Sequence, residues 1–194
     1  MNASDIVGIL LAAGSGSRFG GDKLLARLTS GEFAGEAIGA AAFRHLREAV
    51  PNVIVVVRPG DPSLAAMFGA AGARVVRCPL AADGMGASLA CGVRAAGDVS
   101  GYIVALADMP WTRAATIGTV RAAIEAGAQI AAPEHRGKRG HPVGFARGYR
   151  AQLERLTGDE GARGLIAANA QSLSLLPTDD PGVLRDIDTR ADLA

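Results

Sequence analysis

The chain opens on an apolar run, Ile6-Val7-Gly8-Ile9-Leu10-Leu11, rich in β-branched residues and without polar alternation. Such a run reads as a strand buried on both faces. Comparable runs recur at 53–57, 73–77, 102–107, 129–132 and 172–176. Helical patterns fall between them. Residues 33–50 carry Ile38, Ala42 and Leu46 four apart and stop at Pro51. Residues 63–72, 114–126, 149–156 and 165–169 read as further helices, several of them closed by glycine, and a loop with Gly84 and Gly86 leads into another that runs to about Ala96. Strand, helix and strand with short connections predict parallel pairing and right-handed crossovers. The expected fold is a single α/β domain over residues 1–194. It is three-layered and Rossmann-like, with a mostly parallel sheet and helices on both faces. Residues 133–146 are expected to add a hairpin at one edge.

Composition narrows the picture. Hydrophobic residues make up 49% of the chain and aromatics only 4%, so the core must rest on aliphatic side chains. A formal net charge of +1 gives no overall field toward nucleic acid or an anionic membrane. The two cysteines form no C-x-x-C unit, so zinc and a disulfide framework are not expected. No apolar stretch reaches the ~18 residues of a membrane span. The N-terminus lacks the basic region of a signal peptide. The expected location is cytoplasmic, with no membrane or nucleic-acid partner.

The strongest chemical signal follows the first strand. Gly14, Gly16, Gly20 and Gly21 punctuate a loop that carries Arg18 and ends at Lys23. Inward-turned amides in such a loop form a concavity for an anion. Arg18 offers a planar fork and Lys23 a mobile point charge. The loop reads as a polyphosphate cradle at a strand's carboxyl end. It is not a P-loop, because Asp22 stands where that motif needs its Lys. It is not a dinucleotide fingerprint either, because Phe19 takes the place of the last glycine.

Other candidates are less specific. Asp108 ends the 102–107 strand, where open α/β sheets bind ligands. It is suited to Mg²⁺, which prefers one or two carboxylates plus phosphate oxygens. A turn or cap before Pro110 serves it equally well. Asp186 and Asp188 fall on one side if the tail is extended, and either is placed to join Asp108 on Mg²⁺. Ser88, after Gly84 and Gly86, reads as a phosphate or ribose contact or as a helix cap. The 134–145 stretch reads by charge density as a solvated hairpin, basic side outward. Arg163 binds phosphate or pairs with Asp159 or Glu160.

Leu11-Ala12-Ala13-Gly14, Arg18-Phe19-Gly20 and Lys23 resemble the signature of the MobA-like nucleotidyltransferase family, L-A-[AG]-G-x-[SG]-x-R-[MF]-G-x-x-K. Gly84-Met85-Gly86-Ala87-Ser88-Leu89, Leu106-x-Asp108-x-Pro110, Arg139-Gly140-His141-Pro142-Val143-Gly144-Phe145 and Gly158-Asp159-Glu160-Gly161-Ala162-Arg163 are similar to further motifs of its molybdenum cofactor cytidylyltransferases. The tail matches except that Arg190 replaces proline, and residues 24–35 also depart from the pattern.

The resemblance implies a nucleotide-diphospho-sugar transferase type of fold. It implies a loop of Leu11, Ala12, Ala13, Gly14, Ser15 and Gly16 around a nucleoside triphosphate, with Arg18, Lys23 and Ser88 as further contacts. Arg18, Lys23 and Asp108 are the implied catalytic residues. Gly84, Met85, Ser88, Arg139, His141 and Arg163 would face the acceptor. Asp108 with Asp188, and Asp186 beside it, would hold Mg²⁺. The implied reaction moves CMP from CTP to the molybdopterin form of the molybdenum cofactor and releases pyrophosphate. The product would pass to a molybdenum hydroxylase or its maturation factor. A sugar-phosphate nucleotidyltransferase of the same fold is the alternative, and a non-catalytic nucleotide or cofactor chaperone the second.

Overall fold

The computed structural model describes residues 5–14, 16, 19–31 and 33–193. The first apolar run forms β1 (Ile6–Leu11) at the centre of an eight-stranded sheet. Its side chains alternate between two cores. Ile6 and Leu10 join one, and Val7 and Ile9 the other. That is why the run shows no polar alternation.

Around it lie β2 (Val53–Val57), β3 (Arg74–Arg77) and β4 (Gly101–Leu106), all parallel, in the order β3-β2-β1-β4. Helices α1 (Ile38–Ala49), α2 (Pro62–Ala70) and α4 (Ala114–Glu125) pack on the first face. Helices α3 (Met85–Ala96), α5 (Arg150–Leu153) and α6 (Arg163–Ala168) cover the second. The result is three layers around a mostly parallel sheet, as expected. Helix α3 lies close on the sheet, since a Cβ at Gly92 would come within 2.7 Å of Ile9 Cγ2.

The order reverses between β1 and β4, whose registers match Leu11 to Leu106. At such a switch point the loops leaving the two strands diverge and open a crevice at the carboxyl ends. The glycine loop after β1 and Asp108 after β4 are thereby brought side by side.

Two expectations are corrected. The 133–146 segment is an edge hairpin only at its tip, residues 134–139. Strand β7 (Val143–Ala146) inserts antiparallel between β4 and β5 (Ile130–His135), and only β6 (Lys138–Arg139) hangs outside as an exposed edge. Val143 and Phe145 are buried, and a Cβ at Gly144 would meet Ile124 Cγ1 at 2.7 Å. Charge density marked residues 134–139 as solvated but hid the apolar half that follows. The last strand, β8 (Leu173–Pro177), pairs parallel with β5.

The first helix starts at Ile38, not at residue 33. An antiparallel bridge between Arg27 and Ala37, with Leu28 donating to Glu36 at 2.9 Å, closes a turn over residues 33–35 just before the helix. Among the described residues no helix is long and apolar enough to cross a membrane.

Candidate active site

The crevice holds a cavity of about 570 Å³, into which Leu11, Ala12, Ala13, Gly14, Gly16 and Lys23 project from the first loop. Gly84, Met85 and Ser88 line it from the start of α3, and Asp108 from the end of β4. The loop turns on itself. The Gly16 carbonyl accepts from the amides of Phe19 (3.0 Å) and Gly21 (3.3 Å), and Gly16, Gly20, Gly21 and Asp22 all have positive φ. Among the described residues the amides of Ala13, Gly14 and Gly16 donate to no backbone carbonyl. They are the donors an anion would need. The expectations for Ser15 and Arg18 lie outside the described residues.

Lys23 starts a short turn, Lys23–Leu25, and its ammonium lies 2.7 Å from Asp108 Oδ2 and 3.9 Å from Asp188 Oδ1. The tail reaches this point through its backbone. Ile187, fully buried, donates its amide to the Asp108 carbonyl at 3.0 Å. Asp192 accepts from the Asp188 amide, the Thr189 amide and the Thr189 hydroxyl, and the Thr189 bonds hold its carboxyl below the usual range. Leu193 O accepts from the Thr29 amide and hydroxyl. Arg190, the departure from the family tail, places its guanidinium 5.1 Å from the Phe19 ring. That contact ties the tail to the glycine loop.

Asp108 and Asp188 therefore converge on one cation. Two carboxylates in reach of a single positive charge form a donor set that fits Mg²⁺ or Mn²⁺ completed by phosphate oxygens. Asp186 is exposed and lines neither this cavity nor the one beside it. Buried Ile187 is pinned to Asp108, and this fixes Asp188, not Asp186, beside Lys23.

A second cavity of about 190 Å³ adjoins the first and shares Leu11, Met85 and Leu106 with it. Arg139, His141 and Arg163 line it over an apolar floor that includes Val143, Phe145 and Ile166. Burial and the positive charge of Arg163 depress the Arg139 pKa. Neither arginine has an ion-pair partner among the described residues. Burial, with Arg139 next in weight, pushes His141 down to about 4, so its ring is neutral at pH 7. His141 Nδ1 is buried without a hydrogen-bond partner among the described residues.

Ser88 is not the cap of α3. Gly84 holds that position, and the Ser88 hydroxyl, one turn inside, donates to the Gly84 carbonyl at 3.2 Å. Sequence reasoning missed Arg58 and Asp61, which also line the first cavity. Arg58 follows directly on β2, so its place at the carboxyl end of a parallel strand was the available signal. Asp61 accepts from Leu64 N at 3.1 Å and caps α2.

Residues 8–173 match the model of the MobA-like NTP transferase domain. The chain belongs to that family. It is 30% identical over 201 residues to the purine catabolism protein PucB of Bacillus subtilis, covering 97% of this chain and 94% of that one. It is 28% identical over 193 residues to the nicotine blue oxidoreductase of Paenarthrobacter nicotinovorans, covering 95% and 92%. The crystal structure of Rv0371c from Mycobacterium tuberculosis superposes with a TM-score of 0.82 at 25% identity, over 98% and 96% of the two chains. Rv0371c has also been crystallised in complex with manganese, at a TM-score of 0.74, 24% identity, and 97% and 96% coverage. This MobA-like chain is thus a nucleotidyltransferase by family, with its glycine loop inside the matched span.

Proposed function

We propose that this protein transfers CMP from CTP to the molybdopterin form of the molybdenum cofactor. An acceptor phosphate oxygen attacks the α-phosphorus, the bond to the α,β-bridging oxygen breaks, and pyrophosphate leaves. The observation that carries this reading is the junction of the two cavities. A carboxylate-bound lysine lies beside open backbone amides in one, and two arginines without carboxylate partners line the other. Two polyanions must meet for nucleotidyl transfer, so positioning and charge neutralisation dominate over any protein nucleophile.

In this reading the amides of Ala13, Gly14 and Gly16 and the Lys23 ammonium hold the triphosphate, joined by Arg18. Lys23 stabilises the charge that builds on the departing pyrophosphate. Arg139 and Arg163 hold the acceptor's phosphate, and the apolar floor with Met85 takes its uncharged body. Neutral His141 adds no third positive charge there. Asp108 and Asp188 hold a Mg²⁺, which when bound neutralises phosphate oxygens and orients them. The Ala12-Ala13-Gly14 form, which resembles the CTP-using branch, supports cytidine over guanosine.

The test is pyrophosphate release with Mg²⁺, offering CTP, GTP, ATP and UTP, each with and without molybdenum cofactor. Cofactor-dependent release with CTP is the expected result. Release with GTP keeps the mechanism and overturns the base. Release with a sugar phosphate as acceptor moves the protein to the alternative class. Absence of release with any pair, while CTP still binds, favours a binding or chaperone role. A redox reaction such as one relative's name describes would likewise leave pyrophosphate unreleased.

A further inference from the structure

Asp108 and Asp188 already share a cation, and the chain itself supplies it. Lys23 Nζ is in hydrogen-bond contact with Asp108 Oδ2 and within 3.9 Å of Asp188 Oδ1. The lysine side chain is 13% exposed, less than either carboxylate. We infer that Lys23 closes the metal site until a triphosphate arrives, so that divalent cation and nucleotide are taken up together. The inference rests on the reading of Asp108 and Asp188 as metal ligands.

The geometry makes the two cations competitors. A Mg²⁺ needs its oxygen ligands at about 2.0–2.1 Å. An ammonium 2.7 Å from Asp108 Oδ2 repels a divalent ion brought to the same carboxylate and so weakens its binding. Moving Lys23 away removes that penalty.

The lysine can leave without moving the backbone. Its main chain is fixed in the Lys23–Leu25 turn, where Ala26 N donates to the Lys23 carbonyl at 3.1 Å and Leu24 is buried. Its four-carbon stem is free to swing the ammonium across the same cavity toward the amides of Ala13 and Gly14. Without an anion at those amides, leaving Asp108 would cost the ammonium its partner in a half-buried site. With a triphosphate there, the ammonium exchanges one anion for another and releases the carboxylates. Metal and triphosphate therefore bind with positive coupling, and the coupling is reciprocal. The device also offsets part of the charge of two neighbouring carboxylates.

The test measures Mn²⁺ binding to the nucleotide-free protein by the electron paramagnetic resonance signal of free Mn²⁺. Wild type is compared with Lys23→Met, Lys23→Gln and the double variant Lys23→Met/Asp108→Asn, each checked for folding by circular dichroism and thermal melting. Removal of the charge is expected to tighten Mn²⁺ binding on the order of tenfold, toward the low end of the usual coupling range. The double variant is expected to lose that gain. If Lys23→Met does not fold, Lys23→Gln, which keeps a hydrogen bond to Asp108 without the charge, carries the comparison. Unchanged affinity in the folded variants, or no Mn²⁺ binding by any of them, overturns the inference. Wild-type pyrophosphate release, assayed separately, tells whether the reaction proposed above falls with it. Release with unchanged Mn²⁺ affinity sinks the lysine closure alone, and tighter Mn²⁺ binding without release sinks the reaction alone.

Discussion

The Gly86 amide donates to the Gly158 carbonyl at 2.7 Å, joining the first turn of α3 to the loop before α6. The approach is close enough that a Cβ on Gly86 would stand 2.5 Å from the Thr157 carbonyl oxygen. On Gly84, whose φ is +112°, it would stand 2.4 Å from Asp159 Oδ1. These contacts hold Met85 on the wall common to both cavities, and they set Arg163 at its distance from the nucleotide loop.

Gly86→Ala is therefore expected to push the first turn of α3 and that loop apart. The cost is about 1–3 kcal/mol of stability, as for overpacking elsewhere. The functional signature is more specific: KM for the acceptor rises more than KM for the nucleotide. Steady-state kinetics with each substrate varied in turn, beside a denaturant melt, reads both effects. Equal changes in the two KM values would detach this contact from acceptor placement.

Lys23 and Asp108 are expected to act as one unit in catalysis. Lys23→Ala should lower kcat/KM about a hundredfold or more, the usual cost of a lost charge contact in the transition state. Asp108→Asn should cost a comparable amount, and the double variant less than the product of the two, because each group loses its partner when the other is removed. A Lys23→Ala effect below about threefold removes that residue from the mechanism.

Asp180 gives a prediction of the opposite kind. Its carboxylate, 1% exposed, accepts from the Arg113 amide (2.9 Å), the Thr116 hydroxyl (2.8 Å) and the Gly182 amide (2.9 Å). It thus caps α4 from a distant part of the chain. Asp180→Ala leaves these donors unmet and should cost roughly 3 kcal/mol. Asp180 lines neither cavity. The kcat of the folded fraction should therefore hold while the denaturation midpoint falls. A fall in kcat at full folding would place Asp180 in the site's support.

The contrast shows what the sequence exposes. The β1 run, the glycine loop and the Asp108 strand end are local patterns, readable because burial on both faces and positive φ each leave a mark on composition. Lys23 meeting Asp108 and Asp188 is not local, but Lys23 and Asp108 follow β1 and β4 at the switch point, and the Ile187 bond to Asp108 brings the tail there. Asp180 left no mark, because a carboxylate that caps a helix some 67 positions away looks like any turn residue. The place of β7 inside the sheet, between β4 and β5, was missed for a related reason. Only its neighbours across the sheet, β4 and β5, require Val143 and Phe145 to be strand. The turn at 33–35 stayed unreadable because it is closed by the Arg27–Ala37 bridge, and the neighbouring Thr29 is held by a tail contact to Leu193.

His141 carries the last prediction, which concerns pH. Its folded value of about 4 lies below the ordinary 6.5, chiefly through burial, with Arg139 adding to it and Asp108 opposing it. The unfolded chain takes up a proton near pH 6.5 that the folded chain refuses until about pH 4. Across that window the unfolded state binds more protons, so stability rises with pH and is lost as acid is added. The full effect of this one ring is ~3 kcal/mol, reached near pH 4. In the metal-free protein His141→Gln should flatten the fall in stability between pH 6.5 and pH 4, while the remaining titrating groups contribute equally to both curves. Denaturant midpoints taken at several pH values across the window measure it. Parallel curves for the two proteins would mean that His141 titrates as an ordinary exposed histidine, and its neutral role beside Arg139 and Arg163 would go with that result.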